Sequence, residues 1–146
     1  MSRSNYSDDC ENLGLWRGAV QRATFGYRGQ AFLRKLRDAL DAMPDKRLIA
    51  DAIKDEHGNV CALGAVDPTV EIYHAEELAE HFGIARALAA EIVYINDERG
   101  EGDWVRGEGP AQNPWGYPPY VWVACTPEER WRQVRAWVGE QIIGEA

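Results

Sequence analysis

The chain has 146 residues, a length that fits one domain able to bury most of the surface its unfolded form exposes. No apolar run approaches the roughly 20 residues needed to cross a bilayer, and the first ten residues are polar, so we expect neither a membrane span nor a signal peptide. Its three cysteines are widely spaced and form no CxxC, so we expect reduced thiols in a cytoplasm.

The net charge of −8 is unevenly distributed. Residues 1–47 hold nine basic against six acidic side chains, whereas residues 48–146 hold seven against eighteen. An acidic majority repels phosphate backbones and favours basic protein surfaces. Ordinary solubility is the alternative explanation, because the carboxylates are spread along the chain.

Apolar residues at helical spacing predict two helices in the first third of the chain. The first covers about residues 9–25 and ends at Gly26, and the second begins after Gly29 and ends at Pro44. Five arginines on or between these helices form a candidate basic face: Arg17, Arg22, Arg28, Arg34 and Arg37.

In the middle of the chain, the spacing of apolar residues is no longer helical. Residues 48–66 contain two apolar runs around a turn-prone segment and predict a short β-hairpin, with a helix opening at Cys61 as the alternative. Two helices follow, one over residues 75–82 closed by Gly83 and one over about residues 84–96.

The last helix has the clearest start. Thr126 supplies a capping hydroxyl, Pro127 suits the first helical position, and Glu129 completes a capping box. Its predicted buried stripe is Trp131, Val134, Val138 and Ile142, with Trp137 alongside.

Residues 100–125 form an excursion that combines five glycines, four prolines and five large aromatics without helical periodicity. Residues 104–106 and 120–124 are strand-like and predict a second small hairpin. Exposed tryptophan and tyrosine are typical of protein interfaces, although the same residues could instead complete a small core. The candidate binding residues are Trp104, Glu108, Trp115, Tyr117, Tyr120 and Trp122.

Together these patterns predict a mainly α fold of about five helices, with a small β-hairpin and a long aromatic, Gly/Pro-rich excursion; an α+β fold is the alternative. We expect a single domain over residues 1–146, with residues 100–125 as an inserted loop or hairpin.

Catalytic signatures are missing. No phosphate loop, dinucleotide fingerprint, zinc-protease or esterase motif occurs, and the pairs Glu71/His74 and Glu77/His81 offer too few ligands for a metal. Cys61 lacks an evident orienting acid or oxyanion hole. The sequence thus predicts no catalytic residue, metal or cofactor.

Several segments carry a resemblance to a known family: NYSDD at residues 5–9, LWRGAV at 15–20, GYRGQAFL at 26–33, VCALGAV at 60–66, FGIARALAAEI at 82–92 and TPEERWRQVRAWV at 126–138. They resemble small accessory proteins, without an assigned activity, that tailed bacteriophages and prophages of proteobacteria encode. The resemblance implies an accessory phage protein acting in the cytoplasm of a bacterial host. Members pass from the IND segment at residues 95–97 to the last helix by a shorter connection, so the excursion is expected to be particular to this chain.

Three functions follow as hypotheses. The leading one is a non-enzymatic protein that binds a host protein through the excursion, as an inhibitor of a bacterial defence system would (anti-CRISPR-like). The second is nucleic-acid binding by the basic face. The third is a small-ligand or nucleotide-binding enzyme that uses Tyr6, Asp8, Asp9, Arg17 and Arg28.

Overall fold

A computed structural model of the chain describes Arg3 and residues 13–71, 74–110, 114–116 and 119–144. In this part of the chain, six helices surround one apolar core and a two-stranded antiparallel sheet follows the fifth helix. The elements are α1 (Leu13–Phe25), α2 (Tyr27–Ala42), α3 (Ala62–Val66), α4 (Ala75–Phe82), α5 (Arg86–Asp97), β1 (Gly102–Arg106), β2 (Tyr120–Ala124) and α6 (Pro127–Gln141).

Helix α5 lies at the centre of the core. It contacts α1, α3, α4 and α6, and ten of its twelve residues are buried. Leu88 and Ile92 share one face of the helix and Val93 lies on another, and all three are almost inaccessible to water. A helix with apolar residues on more than one face is buried among other elements, so the composition of α5 explains its position.

The corner between α1 and α2 depends on Gly29. The sequence suggested that this glycine separates the two helices, but α2 already begins at Tyr27 and Gly29 is buried within its first turn. A Cβ at residue 29 would overlap the carbonyl oxygen of Ala23. Only glycine lets the two helices approach this closely.

The prediction of a β-hairpin over residues 48–66 is wrong. One isolated bridge joins Lys54 to Val60 around a turn, and residues 62–66 form helix α3, as the alternative prediction had it. The side-chain oxygen of Asn96, at the end of α5, accepts a hydrogen bond from the Ala62 N–H at 3.0 Å. This distant acceptor stabilises the start of a helix where local propensity favoured a strand.

The remaining helices follow their local signals. Gly83 adopts a left-handed conformation with φ of 68° and closes α4, as predicted. Thr126 caps α6, since its hydroxyl accepts a hydrogen bond from the Glu129 N–H at 3.1 Å. Val134, Trp137 and Val138 are buried against the core.

The predicted fold class, mainly α with a small β-hairpin, is therefore confirmed. Within the described residues, no helix has the length and apolar content that crossing a bilayer requires.

A candidate protein-binding hairpin

Strands β1 and β2 form a regular antiparallel hairpin, as the alternation in residues 104–106 and 120–124 predicted. Trp104 lies directly opposite Trp122, and Val105 lies opposite Val121. Beyond the strands, the Cys125 N–H binds the Glu101 carbonyl at 2.9 Å, so the ladder continues to the root of the hairpin. At the outer end, the Gly107 N–H binds the Pro119 carbonyl at 2.7 Å.

One face of the hairpin carries aromatic side chains. The rings of Trp104 and Trp122 meet edge to face with centroids 5.5 Å apart, and Tyr120 lies opposite Arg106 on the same face. Despite this mutual contact, 61% of Trp104 and 43% of Trp122 remain exposed. These aromatics do not complete the helical core.

The opposite face carries three valines and Asp103 and is equally open. Strand geometry places Val105, Val121 and Val123 together there, because side chains alternate between the two faces. Each of the three valines is 42% to 51% exposed. The hairpin thus presents apolar area on both faces, which is unusual for a surface that meets only water.

The hairpin stands away from the helices. In the described part of the chain, each strand makes its main contacts with the other strand, and helix α6 does not cover either face. The closest attachment to the body lies at the root, where Gly100, with φ of 69°, lies against the Gln133 side chain of α6. An isolated two-stranded hairpin is only marginally stable in water, so this one depends on its anchored root and its tryptophan pair.

An open groove borders the root. Its volume is about 450 Å³, and it is lined by Ile95, Arg99, Gly100, Gln133, Ala136, Trp137 and Glu140. The groove lies between the end of α5 and helix α6.

The predicted binding residues are brought together only in part. Trp104, Tyr120 and Trp122 share one face of the hairpin. Glu108 and Trp115 are exposed in the segment that joins the strands. Tyr117 lies outside the described residues.

The predicted basic face is largely occupied by intramolecular contacts. Arg17 binds the carboxylate of the buried Glu91 on α5 at 2.6 Å. Arg34 donates to the Ile143 carbonyl at 3.0 Å, and Arg37 pairs with Asp38. Arg22 and Arg28 are exposed.

A buried polar cluster at the end of α5 escaped the sequence analysis. Both oxygens of Asp97 accept from the guanidinium of Arg3, at 2.6 and 2.8 Å, and Arg3 is only 1% exposed. Asp97 also accepts from the Asp51 N–H and from the side chain of Asn96. An arginine in a polar segment carries no sequence signal for burial.

The electrostatics of this cluster are those of a structural clamp. Burial disfavours the charge on Arg3, but the hydrogen bonds and charge interactions with Asp97 and Cys61 together outweigh it and raise the pKa of the guanidinium above its usual value. Burial likewise raises the pKa of the neighbouring Cys61, although Arg3 partly opposes this. A thiol held protonated in this way is a poor nucleophile.

The residues considered for ligand or metal chemistry do not converge. His81 binds the carboxylate of Asp67 at 2.9 Å, and α4 begins only at Ala75, after His74. The described residues contain no group of three or more potential metal ligands. Tyr6, Asp8 and Asp9 lie outside the described residues.

Comparisons with family models, with curated proteins and with solved structures find no match to this chain.

Proposed function

We propose that this protein acts by binding another protein, and that the surface it uses is the hairpin formed by β1 and β2. The supporting observation is a hairpin with aromatic and valine side chains exposed on opposite faces, beside a well-packed helical core. Tryptophan and tyrosine are enriched among the residues that dominate the energetics of protein interfaces.

The charge of the molecule supports a basic protein as the partner. The net charge is −8, and the hairpin carries exposed carboxylates on Glu101, Asp103 and Glu108. Acidic surfaces speed association with basic partners through long-range attraction. They oppose binding to nucleic acids, and three of the five arginines of the basic face already bind protein acceptors.

The biological setting follows from the resemblance alone. The proposed setting is a bacterial cell in which a phage-encoded accessory protein binds a host protein and thereby inhibits a defence system. In this setting the hairpin does the binding, and no catalytic step is required.

The test compares two variants that remove similar exposed apolar groups from different places. The first replaces Trp104 and Trp122 by serine, which removes the aromatic face of the hairpin. The second replaces Leu15 and Tyr27, which are 74% and 90% exposed on the helical body. Proteins captured from a bacterial lysate on each immobilised variant and on the parent protein are then quantified by mass spectrometry.

The hairpin variant should lose the specific partner, with binding at least about 30-fold weaker, because buried tryptophan anchors typically contribute 2 kcal/mol or more. The body variant should retain it. Equal retention by both variants, each with the far-ultraviolet circular dichroism of the helical body, would show that the hairpin is not the binding surface.

A further inference from the structure

The two edges of the hairpin differ in how they meet solvent. On β1, the carboxylate of Asp103 accepts a hydrogen bond from the Trp104 N–H at 2.8 Å. This strand also carries two charges, on Asp103 and Arg106. Side-chain capping and charge are both devices that protect an edge strand from pairing with another chain.

Strand β2 has none of this protection. Its sequence, Tyr-Val-Trp-Val-Ala, contains no charge and consists largely of residues that favour strands. All five residues are exposed. An uncharged edge strand of this kind is a ready template for pairing with another strand.

The ladder determines which backbone groups of β2 are available. The bonds from Cys125 N–H to Glu101 and from Gly107 N–H to Pro119 fix which opposed residues are hydrogen-bonded pairs. Because such pairs alternate in an antiparallel ladder, Trp104 and Trp122 form a non-hydrogen-bonded pair. The N–H and C=O groups of Tyr120, Trp122 and Ala124 consequently point away from β1.

The available edge is short. Pro119 precedes it and Pro127 follows it two residues beyond Cys125, and proline cannot donate a ladder hydrogen bond. A third strand therefore has a register of about five residues, which suits a peptide segment rather than the edge of a large sheet.

The charges near β2 indicate which segment fits. Glu101, Glu128 and Glu129 are all exposed at the end of the hairpin where β2 meets α6. They outnumber the two exposed guanidinium groups nearby, those of Arg99 and Arg132. A second copy of this chain would bring two molecules of net charge −8 together, whereas a basic segment complements these carboxylates.

We propose that the outer edge of β2 binds an extended, basic segment of the partner protein as a third antiparallel or parallel strand. This inference rests on the proposed function and specifies its mode of binding. The backbone of the segment pairs with Tyr120, Trp122 and Ala124. Its alternate side chains lie against the tryptophan face and the valine face of the hairpin, both of which are open.

A defined peptide tests this directly. The probe is a seven-residue peptide of alternating lysine and valine with blocked ends, titrated into the isotopically labelled protein. The amide signals of Tyr120, Trp122 and Ala124 should shift, and those of β1 should shift less. A peptide with glutamate in place of lysine should bind at least about tenfold more weakly. When the lysine peptide is N-methylated at alternate residues, its affinity should fall at least about fivefold, because one edge of the peptide can no longer donate hydrogen bonds.

Two proline variants separate the edges without removing an aromatic side chain. Ala124→Pro deletes an outward N–H of β2, and Arg106→Pro deletes an outward N–H of β1, while the ladder between the strands is kept in both. Ala124→Pro should lower the affinity for the lysine–valine peptide at least about fivefold, and Arg106→Pro should lower it less than about twofold. The tryptophan circular dichroism verifies that each variant retains the hairpin.

Three results would overturn the inference. The first is that no β2 amide shifts at millimolar peptide. The second is that both proline variants bind the peptide equally. The third is a dimer of the free protein, seen by light scattering, that Ala124→Pro dissociates, because the edge would then belong to a second copy. A partner that depends on Trp104 and Trp122 but not on Ala124→Pro would leave the proposed function standing and exclude strand addition.

Discussion

The last turn of α5 and the hairpin that follows it are neighbours in sequence, but they differ in which side chains they bury. Asp97 is buried and both of its oxygens bind Arg3, while Trp104, seven residues later, is 61% exposed. At the end of α5, polar groups are buried with partners. In the hairpin, apolar groups are left in water. The first arrangement stabilises the fold, and the second leaves apolar area exposed, which is the basis of the proposed binding surface.

This comparison predicts that changes at the end of α5 act on folding, whereas changes in the hairpin act on binding. The largest effect should come from Asp97→Ala, which leaves the buried guanidinium of Arg3 without its carboxylate. We expect the free energy of unfolding to fall by about 3–5 kcal/mol in urea denaturation. The control is Asp38→Ala, which removes the exposed partner of Arg37 and should change stability by less than about 1 kcal/mol. Similar losses in both variants would contradict the distinction.

The packing of the body can be tested with two glycines. Gly29→Ala should reduce the free energy of unfolding by about 1–3 kcal/mol, because the added methyl group overlaps the Ala23 carbonyl at the α1–α2 corner. At Gly18 of α1, an added Cβ meets only the end of the flexible Arg22 side chain at 3.4 Å. Gly18→Ala should therefore stabilise the protein by up to about 1 kcal/mol through helix propensity. Chemical denaturation measures the free energy of unfolding of both variants. If Gly29→Ala and Gly18→Ala were destabilised equally, the close approach at Gly29 would be contradicted.

The hairpin should contribute little to global stability. Trp122→Ala removes the edge-to-face contact with Trp104, worth about 0.5–1.5 kcal/mol locally, but leaves the core untouched. We expect global unfolding to change by less than about 1 kcal/mol, while the near-ultraviolet circular dichroism of the tryptophan pair disappears. Trp137→Ala, which opens the core at α6, should instead cost about 3–5 kcal/mol. If the two variants were equally destabilised, the hairpin would be part of the cooperative core.

The smallest effect concerns a surface loop of the body. The Thr69 hydroxyl and the His81 ring lower the pKa of Asp67 from 3.8 to about 2. A lowered pKa means that this stabilisation is complete above pH 3.8 and is lost as the pH falls through about 2. Titration of the Asp67 carboxyl by NMR should show this low pKa. In Thr69→Val, the pKa of Asp67 should rise towards 3.8. An unchanged midpoint would assign the shift to other groups.

The sequence predicted those elements whose signals are local. The left-handed Gly83, the capping Thr126 and the alternating residues of β2 each lie within a few positions of the structure they specify. For this reason the sequence alone predicts the bounds of α4 and the pairing of β1 with β2.

Where the sequence favoured the wrong element or gave no signal, the structure depends on distant partners. Helix α3 begins where Asn96 accepts the Ala62 N–H, across 34 residues, and no local pattern signals such a contact. Arg3 looked like an ordinary charge in a polar segment until the fold brought Asp97 to it. For the candidate site, the sequence supplied Trp104, Tyr120 and Trp122, but their exposure and the difference between the two edges required coordinates.

The buried clamp has a kinetic consequence. Arg3 and Asp97 are 94 residues apart in sequence, and the buried Gln30 binds the carbonyl of Gln141 across 111 residues. Helical proteins with mostly local contacts fold in microseconds to milliseconds, but contacts between remote segments require the closure of long loops first. At a synthesis rate of about 5–20 residues per second, Asp97 emerges roughly 5–20 seconds after Arg3. During those seconds the arginine stays hydrated, and the helical body cannot close until most of the chain has been made.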